Sequence, residues 1–330
     1  IGLRSRFVAK LGEMAIQRGQ SMSTYVDEPG ASSLVQLSDE LAEAVERAGA
    51  GTVTVEARRR MPASGIVWDA GGIIVTANHV VERDQEINIH LADGRKVEAT
   101  LVGRDPGSDL AVLQVATTDL APLARREEPV RVGHLVLAVA RPGPSGPMAS
   151  FGAVSLVGGP WRTHHGGMIE GFIRADVAML PGFSGGPLVD PSGALIGLNS
   201  STLGQGGGLT VPVAAIESVS NALRMHGRVR RGYLGIGAQT VQMPAAVRAE
   251  LRLEGERGLL VVSVEPESPA EKGGLILGDV ILTISGVEVT TVEELQDHLS
   301  GERVGSDLAI VLLRGGTRDE AIVTVGERGS

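Results

Sequence analysis

Cysteine is absent from all 330 residues. The chain therefore has no disulfide, no thiolate metal site and no cysteine nucleophile. That absence does not fix a compartment, because a disulfide-free protein is stable on either side of a membrane. Aromatic residues are scarce, with four Phe, two Trp and two Tyr. Any core must be built from Val, Leu, Ile and Ala, and the 42% hydrophobic content is enough for real ones. No apolar run approaches the ~20 residues of a membrane-spanning helix. A basic surplus is also missing. With a net charge of −9, nothing is in excess to neutralise phosphates, which argues against a nucleic-acid binder. The short basic runs, Arg58-Arg59-Arg60 and Arg228 to Arg231, read as solvated faces or linker.

Gly is plentiful, at 46 residues, which suits many turns and short strands. The length gives a prior of about two domains. Residues 38–48 read as a helix with Ser38 as N-cap and Leu41, Ala44, Val45 and Ala48 on one face. Residues 1–37 are expected to stand outside the fold as a disordered or foreign segment. Their basic residues are interrupted by charges and Gly, so no signal-peptide core forms. Met22 is a candidate start.

After the helix come short β-rich runs: TVTVEA, SGIVWD, GIIVTA, EINIHL, KVEATLVG, DLAVLQV, HLVLAVA, ASFGAVSLV, MIEGFIRAD, GGPLVD, GALIGLNSS and GLTVPV. Turns separate most of them, at a spacing of about 8–15 residues, which favours an all-β barrel or sandwich over βαβ units. A helix, AAIESVSNALRM, follows and ends near Gly227. From residue 232 a second pattern of strands and two helices reads as a small α+β domain. In it, Ser268-Pro269 and Thr291 mark helix starts. The expected layout is 38–223, a linker at 224–231, and 232–330.

Gly182-Phe183-Ser184-Gly185-Gly186 is a G-x-S-x-G string. It can mark the nucleophile elbow of an α/β-hydrolase, the G-x-S-G-G-P turn of a chymotrypsin-like protease, or merely a loop. An elbow needs a helix after the serine, and Pro187 and Pro191 forbid one. The protease turn instead demands His, then Asp, then Ser. His79 follows a strand and Asp109 precedes one, and the three lie in that order. A serine hydroxyl is a poor nucleophile until a base takes its proton, which would be the work of His79. Asp109 would hold the imidazole tautomer. The backbone N–H groups of Gly182 and Ser184 would face the developing oxyanion.

At this point SGIVWDAGGIIVTANHVV, DGRKVEATLVGRDPGSDLAVLQV, FGAVSLV, PGFSGGPLVD, GALIGLNS and RGYLGI resemble the HtrA (high-temperature requirement) family of serine proteases, over residues 38–327. The resemblance implies a mainly β chain: a chymotrypsin-like double β-barrel protease domain followed by a small α+β PDZ domain. It implies a serine endopeptidase with a His79, Asp109 and Ser184 triad. It also implies a bacterial protein acting on unfolded polypeptides in quality control and assembled as a homo-oligomer, a trimer or multiple of trimers. No cofactor and no metal are expected. The location would be cytoplasmic if the chain starts near Met22 and periplasmic or otherwise extracytoplasmic if not.

Two departures stand out. The family usually has Asn before the nucleophile, where this chain has Phe183, and ARPGP at 140–144 replaces G-N-P-F-G. Phe cannot pair with a freed N-terminus, so zymogen-style activation is excluded and Ile1 is a false lead. By resemblance, Ala178 holds the position where trypsin-like enzymes carry a cation-selecting Asp. With Met179, Leu180, Leu209 and Thr210 it suggests a small apolar slot, hence cleavage after Val, Ala or Ile. His164-His165 read as an exposed loop, since adjacent strand positions face opposite ways and cannot share a metal, and the family resemblance implies that it would be a regulatory sensor loop.

Tyr233-Leu234-Gly235-Ile236 resembles a PDZ carboxylate-binding loop, whose successive N–H groups form a nest for a peptide C-terminus. VEELQDHLS, with Val292, Leu295 and Leu299 on its apolar side, would form the other groove wall. The competing reading is a catalytically weak or inactive peptide-binding or chaperone module built on a protease fold.

Overall fold

The β-rich runs close into two six-stranded antiparallel barrels. The computed structural model describes residues 33–59, 61–163, 168–204, 207–251 and 255–327. The first barrel contains β1 (Thr52–Glu56), β2 (Ala63–Val67), β3 (Ile73–Ala77), β4 (Ile87–His90), β5 (Lys96–Asp105) and β6 (Leu110–Val115), in the order β1-β2-β3-β6-β5-β4. β2 and β3 are buried along their whole length, which is why their sequences are continuous apolar or small runs rather than alternating ones. Ile66, Ile74, Ile87, Ile89, Leu110 and Leu113 fill this barrel.

The second barrel joins β7 (Leu135–Ala140) and β8 (Met148–Gly158) to β11 (Phe172–Ala175), β12 (Pro187–Val189), β13 (Leu195–Ser200) and β14 (Leu209–Pro212). The run expected as one strand over 168–176 is two. Met168–Ile169 (β10) pairs with Trp161–Arg162 (β9), and β11 starts only after Glu170-Gly171. His164 and His165 lie outside the described residues. The helix before the barrels, α1, spans Ser33–Ala50. Ser38 is therefore inside the helix and not its cap. Arg47 of α1 reaches the Ser192 carbonyl at 3.0 Å. A second helix, α2 (Val213–His226), packs Ala215, Ile216 and Leu223 inward and ends at Gly227.

Residues 232–327 build a sheet ordered β16 (Ile236–Gln242), β17 (Arg257–Val264), β18 (Val280–Ile284), β20 (Asp307–Arg314) and β21 (Thr317–Thr324). The short β19 (Val287–Glu288) lies on β18, and β15 (Gly232–Tyr233) pairs with β22 (Gly326–Glu327). Three helices join it: α3 (Ala245–Leu251), α4 (Pro269–Lys272) and α5 (Val292–Asp297). The sequence pattern had pointed to two, and α3 is the addition. Both expected caps form. Ser268 accepts from the Glu271 N–H, and Thr291 and Glu294 exchange bonds in a capping box. Buried Asp279 is gripped by two guanidinium nitrogens of Arg314, at 2.9 and 2.8 Å. Burial raises its pKa, but the Arg314 contacts and the Ile276 N–H outweigh that and hold the carboxyl below its ordinary value.

The basic run before β15 is more than solvated linker. Arg231 bonds the buried Asp105 at 2.5 Å, and Arg228 and Arg230 both pair with Glu327.

Candidate active site

His79 sits in a single 3-10 turn, Asn78–Val80, directly after β3. Asp109 sits just before β6, the strand paired with β3, so two neighbouring strand ends bring them together. Asp109 has φ 55, a left-handed backbone in which Asp is tolerated better than most residues. Its carbonyl accepts from the Asn78 N–H at 2.9 Å and its Oδ1 from the His79 N–H at 2.9 Å. The turn before it is held too: Asp105 accepts from the N–H groups of Gly107 and Ser108, and the Thr163 hydroxyl donates to the Gly107 carbonyl at 2.6 Å.

The side-chain bond is 2.7 Å, from His79 Nδ1 to Asp109 Oδ2. A carboxylate only accepts, so Nδ1 carries the hydrogen and Nε2 is left as a base. The carboxyl of Asp109 is 4% exposed and the imidazole 23%. Burial alone would raise the Asp109 pKa. The hydrogen bonds from His79, with that from the Ser200 hydroxyl, outweigh it and hold the carboxyl below its ordinary value.

Ser184 lies on a turn pinned from three sides. Its carbonyl accepts from the Ser64 N–H, and the Gly182 carbonyl accepts from Ser64 Oγ at 2.7 Å, so the first barrel fixes both peptides. Ser64 Oγ in turn accepts from the Arg141 N–H at 2.9 Å. Gly185 and Gly186 pair with Asn199 of β13. Phe183 is 0% exposed and packs among Val136, Ala138, Val154, Ile173, Leu188 and Ile196. Gly182 has φ 90, and a Cβ there would stand 2.4 Å from Pro142 Cβ, so only glycine suits both the backbone and the space. Among the described residues, neither the Gly182 nor the Ser184 N–H has a protein acceptor.

Three consecutive residues at the end of β13 touch all three side chains. Ser200 Oγ donates to Asp109 Oδ2 at 2.5 Å. Ser201 Oγ lies 2.8 Å from Ser184 Oγ, and its N–H reaches the same oxygen at 3.2 Å. Thr202 Oγ1 bonds Asp109 Oδ2 at 2.9 Å and lies 3.2 Å from His79 Nδ1. Ser184 Oγ is thus engaged with Ser201, and no hydrogen bond joins it to His79 among the described residues. The sequence reading missed these partners, along with Ser64 and Arg141. The S-S-T run at the end of β13 supplies hydroxyls but carries no local sign of what they face.

Comparison with known proteins places this geometry. A trypsin-like peptidase domain model matches residues 63–198, and a PDZ domain model matches residues 232–325. The serine endoprotease of Yersinia pestis superposes with a TM-score of 0.74 at 30% identity, over 88% of this chain and 98% of that one. The HtrA-type protease AlgW, solved with a decapeptide, gives 0.72 at 31% identity, over 88% of this chain and 99% of that one. The chain belongs to the HtrA family of serine proteases. A relative from Pseudomonas fluorescens, named as a DegP-like periplasmic serine endoprotease, is 34% identical over 269 residues. These residues are 80% of this chain and 56% of the relative, so this HtrA chain spans little more than half the length of the curated relatives it matches.

Within this HtrA chain, the second departure from the family sequence has a visible use. The Arg141 guanidinium bonds the carbonyls of Thr52 and Gly49 at 2.9 Å each, tying the loop that supports Gly182 to the end of α1. The residues of the expected apolar slot are in mixed surroundings. Ala178 and Leu180 are exposed, and Met179 packs against the second-barrel core. Leu209 and Thr210 are buried, the Thr210 hydroxyl donating to Asn199 at 2.8 Å.

In the PDZ region the Leu234 carbonyl accepts from Ala270 N–H and the Gly235 carbonyl from Glu265 N–H, each at 2.8 Å. Both carbonyls are therefore committed to the fold. Among the described residues the Leu234 and Gly235 N–H groups have no protein acceptor. The Tyr233 hydroxyl bonds Glu265. Leu234 and Leu295 are buried in the PDZ core, with Ile236, Val292 and Leu299 packed against it. β16 is the outer strand of its sheet, beside α5.

Proposed function

We propose that this chain is a serine endopeptidase that cleaves unfolded or misfolded polypeptides after small apolar residues, with a PDZ groove that binds peptide C-termini. The observation that carries it is the contact of Ser200, Ser201 and Thr202 with Asp109, Ser184 and His79, which puts acid, base and nucleophile around one strand end between two barrels. The protease part runs to the end of α2 at His226, a short basic linker follows, and the PDZ part begins at residue 232.

In the reaction, the Ser184 hydroxyl turns from Ser201 to His79. Nε2 takes its proton as Oγ attacks the scissile carbonyl, and the resulting imidazolium faces the Asp109 carboxylate. The Gly182 and Ser184 N–H groups are available to the oxyanion, where losing one such donor typically costs ~10²–10³ in rate. His79 then returns the proton to the leaving amine. These steps need no metal or cofactor. Ala178 at the pocket, in place of a carboxylate, supports small apolar side chains before the cut. The Leu234 and Gly235 N–H groups with the α5 wall support capture of an apolar C-terminus. Assembly as a homo-oligomer, a trimer or multiple of trimers, and a place outside the cytoplasm are supported by the family and by the relatives' names.

A fluorophosphonate probe tests the reading. The wild type should be labelled at Ser184, and Ser184→Ala should not. A folded wild type that takes up no label would be a peptide-binding module on a protease fold.

A further inference from the structure

We propose that Thr202 is a positioning residue for the imidazole of His79, a role that rests on the protease reading above. Its hydroxyl lies 2.9 Å from Asp109 Oδ2 and 3.2 Å from His79 Nδ1. A hydroxyl has one hydrogen to give. The carboxylate can only accept, so that hydrogen goes to Asp109. The oxygen lone pairs of Thr202 then face the Nδ1–H, which is shared between Asp109 and Thr202. Two acceptors at Nδ1 fix the plane of the ring more tightly than one.

The hydroxyl also changes the acid. Oδ2 of Asp109 receives the His79 Nδ1–H, the Ser200 hydroxyl and the Thr202 hydroxyl, while Oδ1 takes the His79 N–H. Each donor draws charge from the carboxylate and keeps it from competing for the imidazole proton. Thr202 is itself held in place, since its N–H approaches Ser200 Oγ at 3.3 Å.

The charged surroundings of His79 are few. Asp109 is its titratable partner among the described residues. In its own segment, Glu82 and Arg83 follow, and the Arg83 guanidinium is turned onto the Glu56 carbonyl. From β5, Arg104 bonds the Val81 carbonyl and pairs with Asp84. The end of β13 offers hydroxyls only. Removing the Thr202 hydroxyl therefore takes one donor from Oδ2 and the second acceptor from Nδ1, so the ring is held less firmly.

The test is the second-order rate of fluorophosphonate labelling at Ser184, measured against pH, in wild type, Thr202→Val and Thr202→Ser. Valine keeps the shape without the hydroxyl, and serine keeps the hydroxyl. The expected result is labelling about fivefold slower in Thr202→Val, the scale of one lost hydrogen bond. The acidic limb of its pH profile should move, with rate and limb both restored in Thr202→Ser. A folded Thr202→Val with unchanged rate and limb overturns the role. So does a slower Thr202→Val with an unmoved limb and an equally slow Thr202→Ser, since that pattern reports packing. Absence of Ser184-dependent labelling in the wild type overturns the protease reading and this role with it. Labelling that ignores Thr202→Val overturns this role alone.

Discussion

The cleft between the barrels and the PDZ loop hold their functional groups by opposite means. In the cleft the proposed chemistry belongs to side chains, and a buried polar network holds them: the Asp109 carboxylate accepts four hydrogen bonds, and Ser184 is fixed through Ser64, Asn199 and the burial of Phe183. In the loop the proposed carboxylate binding belongs to backbone N–H groups, and the side chains of Leu234 in the loop and Leu295 in α5 serve the core. Side-chain chemistry is sensitive to isosteric change that leaves the shape alone. Backbone chemistry should ignore such changes and respond only to what bends the chain.

The largest expected effect breaks the cleft alone. Asp109→Asn keeps the shape but places an amide donor where the His79 Nδ1–H needs an acceptor. The ring is then driven to the wrong tautomer, and turnover of an unfolded protein substrate should fall by ~10⁴, the cost typical of this change in a Ser-His-Asp triad. Peptide binding by the PDZ loop, read by fluorescence anisotropy, should not move. A loss of turnover under tenfold would mean that Asp109 does not serve His79 as described.

Next comes the core under the nucleophile. Phe183 fills the second barrel with full burial, so Phe183→Ala should cost about 3–5 kcal/mol of stability in denaturant melts. The comparison predicts where the damage falls. The barrel transition should move to lower denaturant, while the PDZ region, whose core shares no residue with this cluster, should keep its midpoint. A single transition that shifts as a whole would show the two regions unfolding together.

Phe183 also shows what the sequence made legible. As a departure from the family's Asn it reads only as a bar to zymogen-style activation, whereas the structure makes it an anchor for the turn that carries Ser184. The strands could be read because continuous Val, Ile and Leu runs between turns suit little else, and the family motifs fixed their order. His79 and Asp109 could be singled out because each follows or precedes such a run. The support was harder to see. Ser201 and Thr202 are ordinary residues for a strand end, and nothing local says that their hydroxyls face other strands' side chains. Arg231 sits in a basic run that looked solvated, and only the closed barrel brings Asp105 to it. The start of α1 was missed because Ser38, followed by two acids, reads as an N-cap, although Leu34 and Leu37 continue the apolar side of Leu41, Ala44 and Ala48. α3 was missed because no Ser, Thr, Asp or Asn stands immediately before it, whereas Ser268 and Thr291 mark the still shorter α4 and α5. Contacts made across the chain do not leave periodic traces in it.

The smallest expected effect tests the other half of the comparison. Gly235 has φ 81, and a Cβ at that position would stand 2.3 Å from Ser268 Cβ. Gly235→Val should therefore bend the loop and misalign the Leu234 and Gly235 N–H groups. Binding of an apolar decapeptide with a free C-terminus should weaken about tenfold or more, the scale of one or two charge-assisted hydrogen bonds. The wild type should discriminate against the same peptide amidated at its C-terminus by a similar factor, and Gly235→Val should lose that discrimination. Val292→Glu, which sets a like charge at the half-buried groove wall without touching the loop backbone, guards against a variant that simply fails to fold. If the wild type binds the free and amidated peptides equally, the loop does not read a carboxylate, and the division between side-chain and backbone chemistry fails at its second term.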